Sequence, residues 1–457
     1  HEAGALAVGP GHYALGRGAL ALGDVASARE HLEAAWSQGF HEPRVAWALA
    51  LVMGHLYQEQ LLEAERLRAP EQRESRKQDI QRQYRAPALE WLRQSQGADV
   101  PSPEYVAALL AFYEDRLDEA LAKLDAMKDR LPWFHEAPLL RGDILQARAT
   151  RRWNGGDREG ALADFEAGRR AYTDAAATGE SVPEVHRALA RLEYTEMVME
   201  LYSQGDVLPA FTRGLAAVSR ALQADPDFGL ARVLEARFHN RLAEVRMGRG
   251  GDVEEPLEKA LLAARAAMHL VPEPPRARME QVQSLWRRAR SLQARGLDPD
   301  VPLREAVTLL ESIAPKDRDY EFHATRGLVF KIRADYEDEQ GADSRAHRAE
   351  AIASYREAIR LDERLPDAWM NLGIAYLTRA TQPRAETPLE DLEQARAALE
   401  TSRGLNPRNY VPYFLGGTLH LELAQRRRSQ GGDAGPDLAT ALEFFDGGLA
   451  INARIAQ

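Results

Sequence analysis

The chain has no cysteine among its 457 residues, which excludes disulfide stapling, thiolate-ligated zinc and thiol nucleophiles together. It also lacks long apolar runs. The stretch from Val45 to Met53 is among the longest, about half of the roughly 18–20 residues that a membrane-spanning helix requires. Positive charge is the scarcer sign: 59 Lys and Arg against 70 Asp and Glu leave a formal net charge of −11. That balance repels a phosphate backbone and argues against non-specific nucleic-acid binding. No signal-peptide pattern and no initiator methionine stand at the start, so we expect a cytoplasmic segment of a longer chain.

Signatures of chemistry are missing as well. No G-x4-G-K-[ST] loop, G-x-S-x-G elbow or H-E-x-x-H pair occurs, and the twelve histidines are scattered. Asp298 and Asp300 give only a fragment of a calcium loop and read as turn and cap residues. Asp227-Phe228-Gly229 and Ala69-Pro70-Glu71 spell two kinase triplets, but in reversed order and without the glycine-rich loop, strand lysine or H-R-D loop. We therefore expect no catalytic residues, no cofactor, no metal and no small-molecule substrate in this segment.

What is present is 45% hydrophobic and 28% charged residues, the balance of a globular protein held by packing alone. The last third shows how. Ala351, Tyr355 and Ala358 form a small–large–small trio at offsets of four and three, one face of a helix. The trio recurs as Ala260/Ala264/Ala267, Ala306/Leu310/Ile313, Ala395/Leu399/Ser402 and Ala441/Phe445/Gly448. First members fall at Ala28, Ala88, Ala120, Ala161, Gly214, Ala260, Ala306, Ala351, Ala395 and Ala441, with gaps of 60, 32, 41, 53, 46, 46, 45, 44 and 46. A near-constant step of this size belongs to stacked helix pairs, each too small to bury its own core. Ahead of one trio, Trp369, Leu372 and Tyr376 share a helical face with Gly373, which leaves room for a neighbouring helix.

Trp369, Leu372, Gly373, Tyr376, Ala395, Leu399 and Pro407 fall in the order W-x2-L-G-x2-Y, A-x3-F-x2-A, P, and here the sequence resembles the tetratricopeptide family. Looser copies run through the chain. The resemblance implies an all-α, right-handed superhelical solenoid of antiparallel helix pairs. Its units are longer than the family's usual ~34 residues. The excess lies between the two helices of a unit, in GRGGDVEEPLEKA, ARGLDPDVPLREA, RAETPLEDLEQA and QGGDAGPDLATA. Glycine and aspartate close a turn there, and Pro256, Pro302, Pro388 and Pro436 are expected at the first helical position. We expect residues 181–457 to form a regular array with 44–46-residue steps. Residues 1–180 should form an irregular arm, with a charged insertion near 58–87 projecting as a solvated helical hairpin broken near Pro70.

By the same resemblance, ligand-facing positions are Ala324, Leu328 and Lys331; Met370, Ile374 and Leu377; and Phe414, Thr418 and Leu421. They are mostly apolar. That favours an apolar or amphipathic protein segment over a clamped terminal carboxylate, unless these side chains merely pack the superhelix. The expected function is a protein-interaction scaffold. A finer likeness, in the lengthened turns and the opening LGRGALALGDVASAREHLEAAW, is to the carboxy-terminal repeat region of bacterial serine/threonine protein kinases. It implies recruitment or sensing by this segment beside a catalytic domain outside it.

Overall fold

The structure, a computed structural model, describes residues 2–21, 23–64, 70–100, 102–127, 131–203, 205–270, 276–382 and 385–451, and among them there is no β-strand. The chain divides into two compact units, 1–234 and 235–457. The expected boundary near 180 therefore falls within the first unit.

The first unit begins with α1 (Glu2–Ala21), α2 (Val25–Ser37), α3 (Pro43–Ala64) and α4 (Pro70–Ile80). A π-helical turn at Gln81–Arg85 joins α4 to α5 (Ala86–Gln94). There follow α6 (Pro103–Tyr113), α7 (Leu117–Ala126), α8 (Glu136–Asn154), α9 (Arg158–Thr178), α10 (Pro183–Tyr202) and α11 (Leu208–Ala224). The division runs through α12 (Gly229–Gly248). Beyond it lie α13 (Glu254–Met268), α14 (Ala277–Ala294), α15 (Asp300–Ser312), α16 (Tyr320–Glu339), α17 (Arg345–Leu361), α18 (Pro366–Thr381), α19 (Pro388–Leu405), α20 (Val411–Ser429) and α21 (Gly435–Ile451). Successive helices pack as antiparallel pairs: α1 with α2, α6 with α7, α8 with α9, α10 with α11, α14 with α15, α16 with α17, α18 with α19 and α20 with α21.

The trios fill the seams of these pairs. Ala351, Tyr355 and Ala358 are completely buried, as are Ala260, Ala264 and Ala306. A β-carbon added at Gly327 would lie 2.7 Å from the Tyr355 ring, and Gly373 and Gly417 meet Leu399 and Phe445 in the same way, one and two pairs later. The glycine therefore sets the approach of the two helices. Gly327→Ala should destabilise the protein by about 1–3 kcal/mol, because a fully buried tyrosine has nowhere to retreat. Gly404→Ala, a helical site with open space around it, should instead be neutral or stabilising by up to ~1 kcal/mol. Urea denaturation of the two variants reads the contrast.

The turns within the long pairs close on left-handed glycines. Gly250, Gly296, Gly341 and Gly431 have φ of 69°, 70°, 70° and 75°. The residue after each donates back to the preceding helix, as in Leu297 N–H to Leu292 O at 2.9 Å and Ala342 N–H to Glu337 O at 2.8 Å, the arrangement of a Schellman cap. Pro388 occupies the first helical position, whereas Pro436 is second and Pro256 and Pro302 are third in their helices. All four sit in the first turn, where the missing amide hydrogen leaves no intrahelical bond unmade. Asp298 accepts the Asp300 amide at 2.8 Å and Asp225 the Asp227 amide at 3.0 Å, so these acids are turn residues.

The added helical length is held by charge. Beside the connecting turns of three pairs, Arg348 of α17 joins Asp335 and Asp338 of α16, Arg379 of α18 joins Asp391 of α19, and Arg427 of α20 joins Asp437 of α21. Arg148 and Arg152 of α8 likewise hold Asp164 of α9.

Trp369 is only half-buried, its Nε1 donating to the Glu363 carbonyl at 2.8 Å, so it seals a seam edge rather than filling the core. One expectation needs correction. The charged insertion does not project. Ile80 is 1% exposed and shares a core with Ala64, Ala88 and Leu92, and Arg73 of α4 lies over the Tyr202 ring of α10, 5.6 Å from its centroid. Its charges fold inward because ion pairs and an aromatic face await them there. Residues 65–69 of this insertion lie outside the described residues.

Candidate interaction site

The nine positions singled out from sequence lie on α16, α18 and α20, the first helices of consecutive pairs in the second unit. Their surroundings are graded. Ala324 and Leu328 are half-buried, packed against core clusters, and Lys331 is tied to Asp335 at 2.6 Å. Met370 and Ile374 are half-buried too. Leu377 is 7% exposed and belongs to the core with Leu372, Tyr376 and Leu419, so it packs one first helix on the next. On α20, Phe414 is 49% and Leu421 43% exposed, and Thr418 is exposed between them. Asn409, just before α20, donates to the Met370 sulfur at 3.6 Å, which ties the start of α20 to the α18 positions. Seven of the nine thus remain accessible and apolar or hydroxylic, with the open end on α20.

The first unit holds a different site, absent from the sequence-based expectations. α10 is buried around nearly its whole circumference, and its buried residues include Arg187, Arg191, Glu193, Thr195 and Glu200. The Arg187 guanidinium donates to Glu59 of α3 at 2.7 Å and to Glu184 at 2.6 and 2.8 Å. Arg191 donates to Asp143 of α8 at 2.7 Å and lies 3.7 Å from Glu59. The Tyr172 hydroxyl donates to the same Asp143 oxygen at 2.7 Å, and Gln146 donates to the Thr195 hydroxyl at 2.9 Å.

Burial raises the Glu59 carboxyl, but Arg187, then His55 and Arg191, outweigh it and hold the group at about 2. Burial wins at Asp143, whose pKa is raised despite Arg191. Beside this network lies a cavity of about 280 Å³, walled by α3, α4, the π turn, α8 and α10. Local pattern could not have disclosed it. Glu59 and Arg187 are 128 residues apart, and a helix charged on every side reads as exposed until its partners are known. Among the described residues no cluster of His, Asp and Glu is arranged to hold a metal ion, and no helix is long and apolar enough to cross a membrane.

Residues 349–378 match the family described as TPR repeat. The match spans most of α17 and the first part of α18, so it runs from one pair into the next. No curated protein matches the chain. Similar solved structures include the APC/C hetero-tetramer Cut9–Hcn1 (14% identity, 98% of this chain and 95% of that one, TM-score 0.36). Human IFIT1 with m7Gppp-AAAA is another (14% identity, 78% and 71%, TM-score 0.38). Yeast Tom70 is a third (14% identity, 98% and 92%, TM-score 0.31). At these values nothing about function passes from them to this chain.

Proposed function

We propose that the chain is a helical-repeat scaffold that docks an apolar or amphipathic protein segment on the first helices of its last pairs. The observation that carries this reading is the exposure of Phe414 and Leu421, 49% and 43%, at the positions where α18 bears half-buried Met370 and buried Leu377. Two large apolar side chains two turns apart on one helical face, with Thr418 between them, leave an uncovered strip that a partner's apolar stripe would cover. Lys331 serves the fold through Asp335 and is not free to clamp a carboxylate.

A photoreactive residue at Thr418 should crosslink to a protein partner in cell extract, and Phe414→Asp with Leu421→Asp should abolish the adduct. An adduct that survives the double substitution would remove α20 from the docking surface. The likeness to the recruiting region of bacterial kinases extends this reading. It rests on the turn texture and the opening LGRGALALGDVASAREHLEAAW, and a kinase domain in the same reading frame upstream of His1 is what it requires.

A further inference from the structure

The first and last helix pairs expose faces that inner pairs cover. Gly16 and Gly373 meet Leu32 and Leu399 in the same way. Counted from these glycines, Val8, Gly11, Leu15 and Gly18 of α1 match Leu365, Ala368, Leu372 and Ala375 of α18, with the same alternation of large and small. The four α18 residues are buried. Leu365 and Ala368 share a core with Ala358 of the preceding pair, and Leu372 and Ala375 share one with Ile352. The four α1 residues are exposed, Val8 by 41% and Leu15 by 58%.

The last pair shows the other half of the same junction. Counted from the first trio alanine, Leu438 of α21 matches Leu303, Arg348 and Leu392, all buried, yet is itself 45% exposed. Leu442 matches Leu261 and Ile352, both buried, and Val307 and Arg396, both half-buried, yet is 64% exposed. Leu261 shares a core with Met279 and Val282 of the next pair, so this is the position on which a following first helix rests. A terminal repeat that meets water turns a polar outer face to it. These two present valine and leucine.

Charge favours joining one face to the other. The α21 helix carries Asp437, Glu443 and Asp446 and no Lys or Arg, and Glu443 and Asp446 are exposed. Residues 7–21 of α1 carry exposed Arg17 and no acid. Packing α21 against another α21 would set acid against acid, which is costly, whereas α1 brings the opposite sign.

We propose that the chain associates head to tail with a second copy of itself, α1 of one copy packing on α21 of the other as α18 packs on α17. Such a contact is heterologous: it leaves an unused face at each end and so extends into a filament or closes into a ring. Inside the chain a short turn gives each junction a high effective concentration. Between chains that help is gone, so the association is weak and concentration-dependent. The inference goes beyond the docking strip of α20. Phe414 matches Met370, which stays accessible at an inner junction, and Leu421, which borders both surfaces, is left unchanged in the test.

Sedimentation equilibrium from ~1 to ~500 μM, a span that brackets micromolar affinity, should give an average mass that rises to two chains or more. Leu438→Glu with Leu442→Glu blocks the tail, and Val8→Glu with Leu15→Glu blocks the head. Each variant alone should keep the mass of one chain, with an unchanged circular dichroism spectrum. Mixed in equal amounts they should form a dimer and nothing larger, because each supplies the face that the other lacks. Leu442→Ala, a mild change at an exposed position, should weaken self-association about fivefold or more. The proposal is overturned if the wild-type chain stays monomeric throughout, which would leave these faces to a different protein or to further helices of a longer chain. It is overturned equally if either blocked variant still dimerises alone, the sign of a like-on-like contact, or if the mixture of folded variants stays monomeric.

Discussion

Removing both carboxylates that face Arg348, by Asp335→Ala with Asp338→Ala, should cost about 3–5 kcal/mol, the range for leaving a buried charge without its partner. Arg348 is completely buried. It donates to Asp335 at 3.3 Å and to Asp338, while its Nε–H already lacks a hydrogen-bond acceptor. The acids have further work: Asp335 receives Lys331, and Asp338 receives the Gln382 amide at 2.9 Å. Arg348→Met should be milder, under ~2 kcal/mol, since an apolar replacement of a buried ion often comes near neutral. The stranded carboxylates, 26% and 31% exposed, can then hydrate. Hydrogen exchange over α16 and α17 reads this locally, where stacked pairs can open separately. Equal losses in the two variants would show that the clasp acts by packing rather than by charge.

The clasp also marks where sequence reading stopped. The offsets of Ala351, Tyr355 and Ala358 disclose the helix pairs because a 3.6-residue period is local and repeats. The glycine at 327, 373 and 417 discloses close approach for the same reason. The excess length between paired helices was legible too, down to the turn glycines. What holds that length was not, because Arg348, Arg379 and Arg427 sit among many charged residues and only contact separates a buried pair from a solvated one. Register places Phe414 and Leu421 on one face of α20, where both are exposed. Leu377 shared their register but is covered by the next pair, which register does not report. The charged insertion misleads for a related reason: charge alone points to water, whereas Glu59 meets Arg187 and Arg85 lies near Asp115 within the first unit.

That failure yields the second large effect. Glu59→Gln should destabilise the first unit at neutral pH by about 3 kcal/mol, the equivalent of lowering a carboxyl from its ordinary 4.5 to about 2. The sign follows from the depressed value. Ionised Glu59 contributes its full stability above the unfolded pKa and loses it as pH falls through the folded one. The gap between wild type and Glu59→Gln should therefore be constant above about pH 5 and close between about 4.5 and 2. The substitution leaves Arg187, 3% exposed, with Glu184 as its only carboxylate partner, and Arg191 with Asp143, so two buried guanidinium groups each lose a countercharge. Glu33→Gln, which breaks only an exposed pair with Arg29 one turn away, should change stability by less than ~0.5 kcal/mol at any pH. Five of the seven tryptophans lie in the first unit, so urea titrations followed by fluorescence across pH 2–8 report mainly on it. A gap that stays open at pH 2 would mean that Glu59 acts through shape rather than charge.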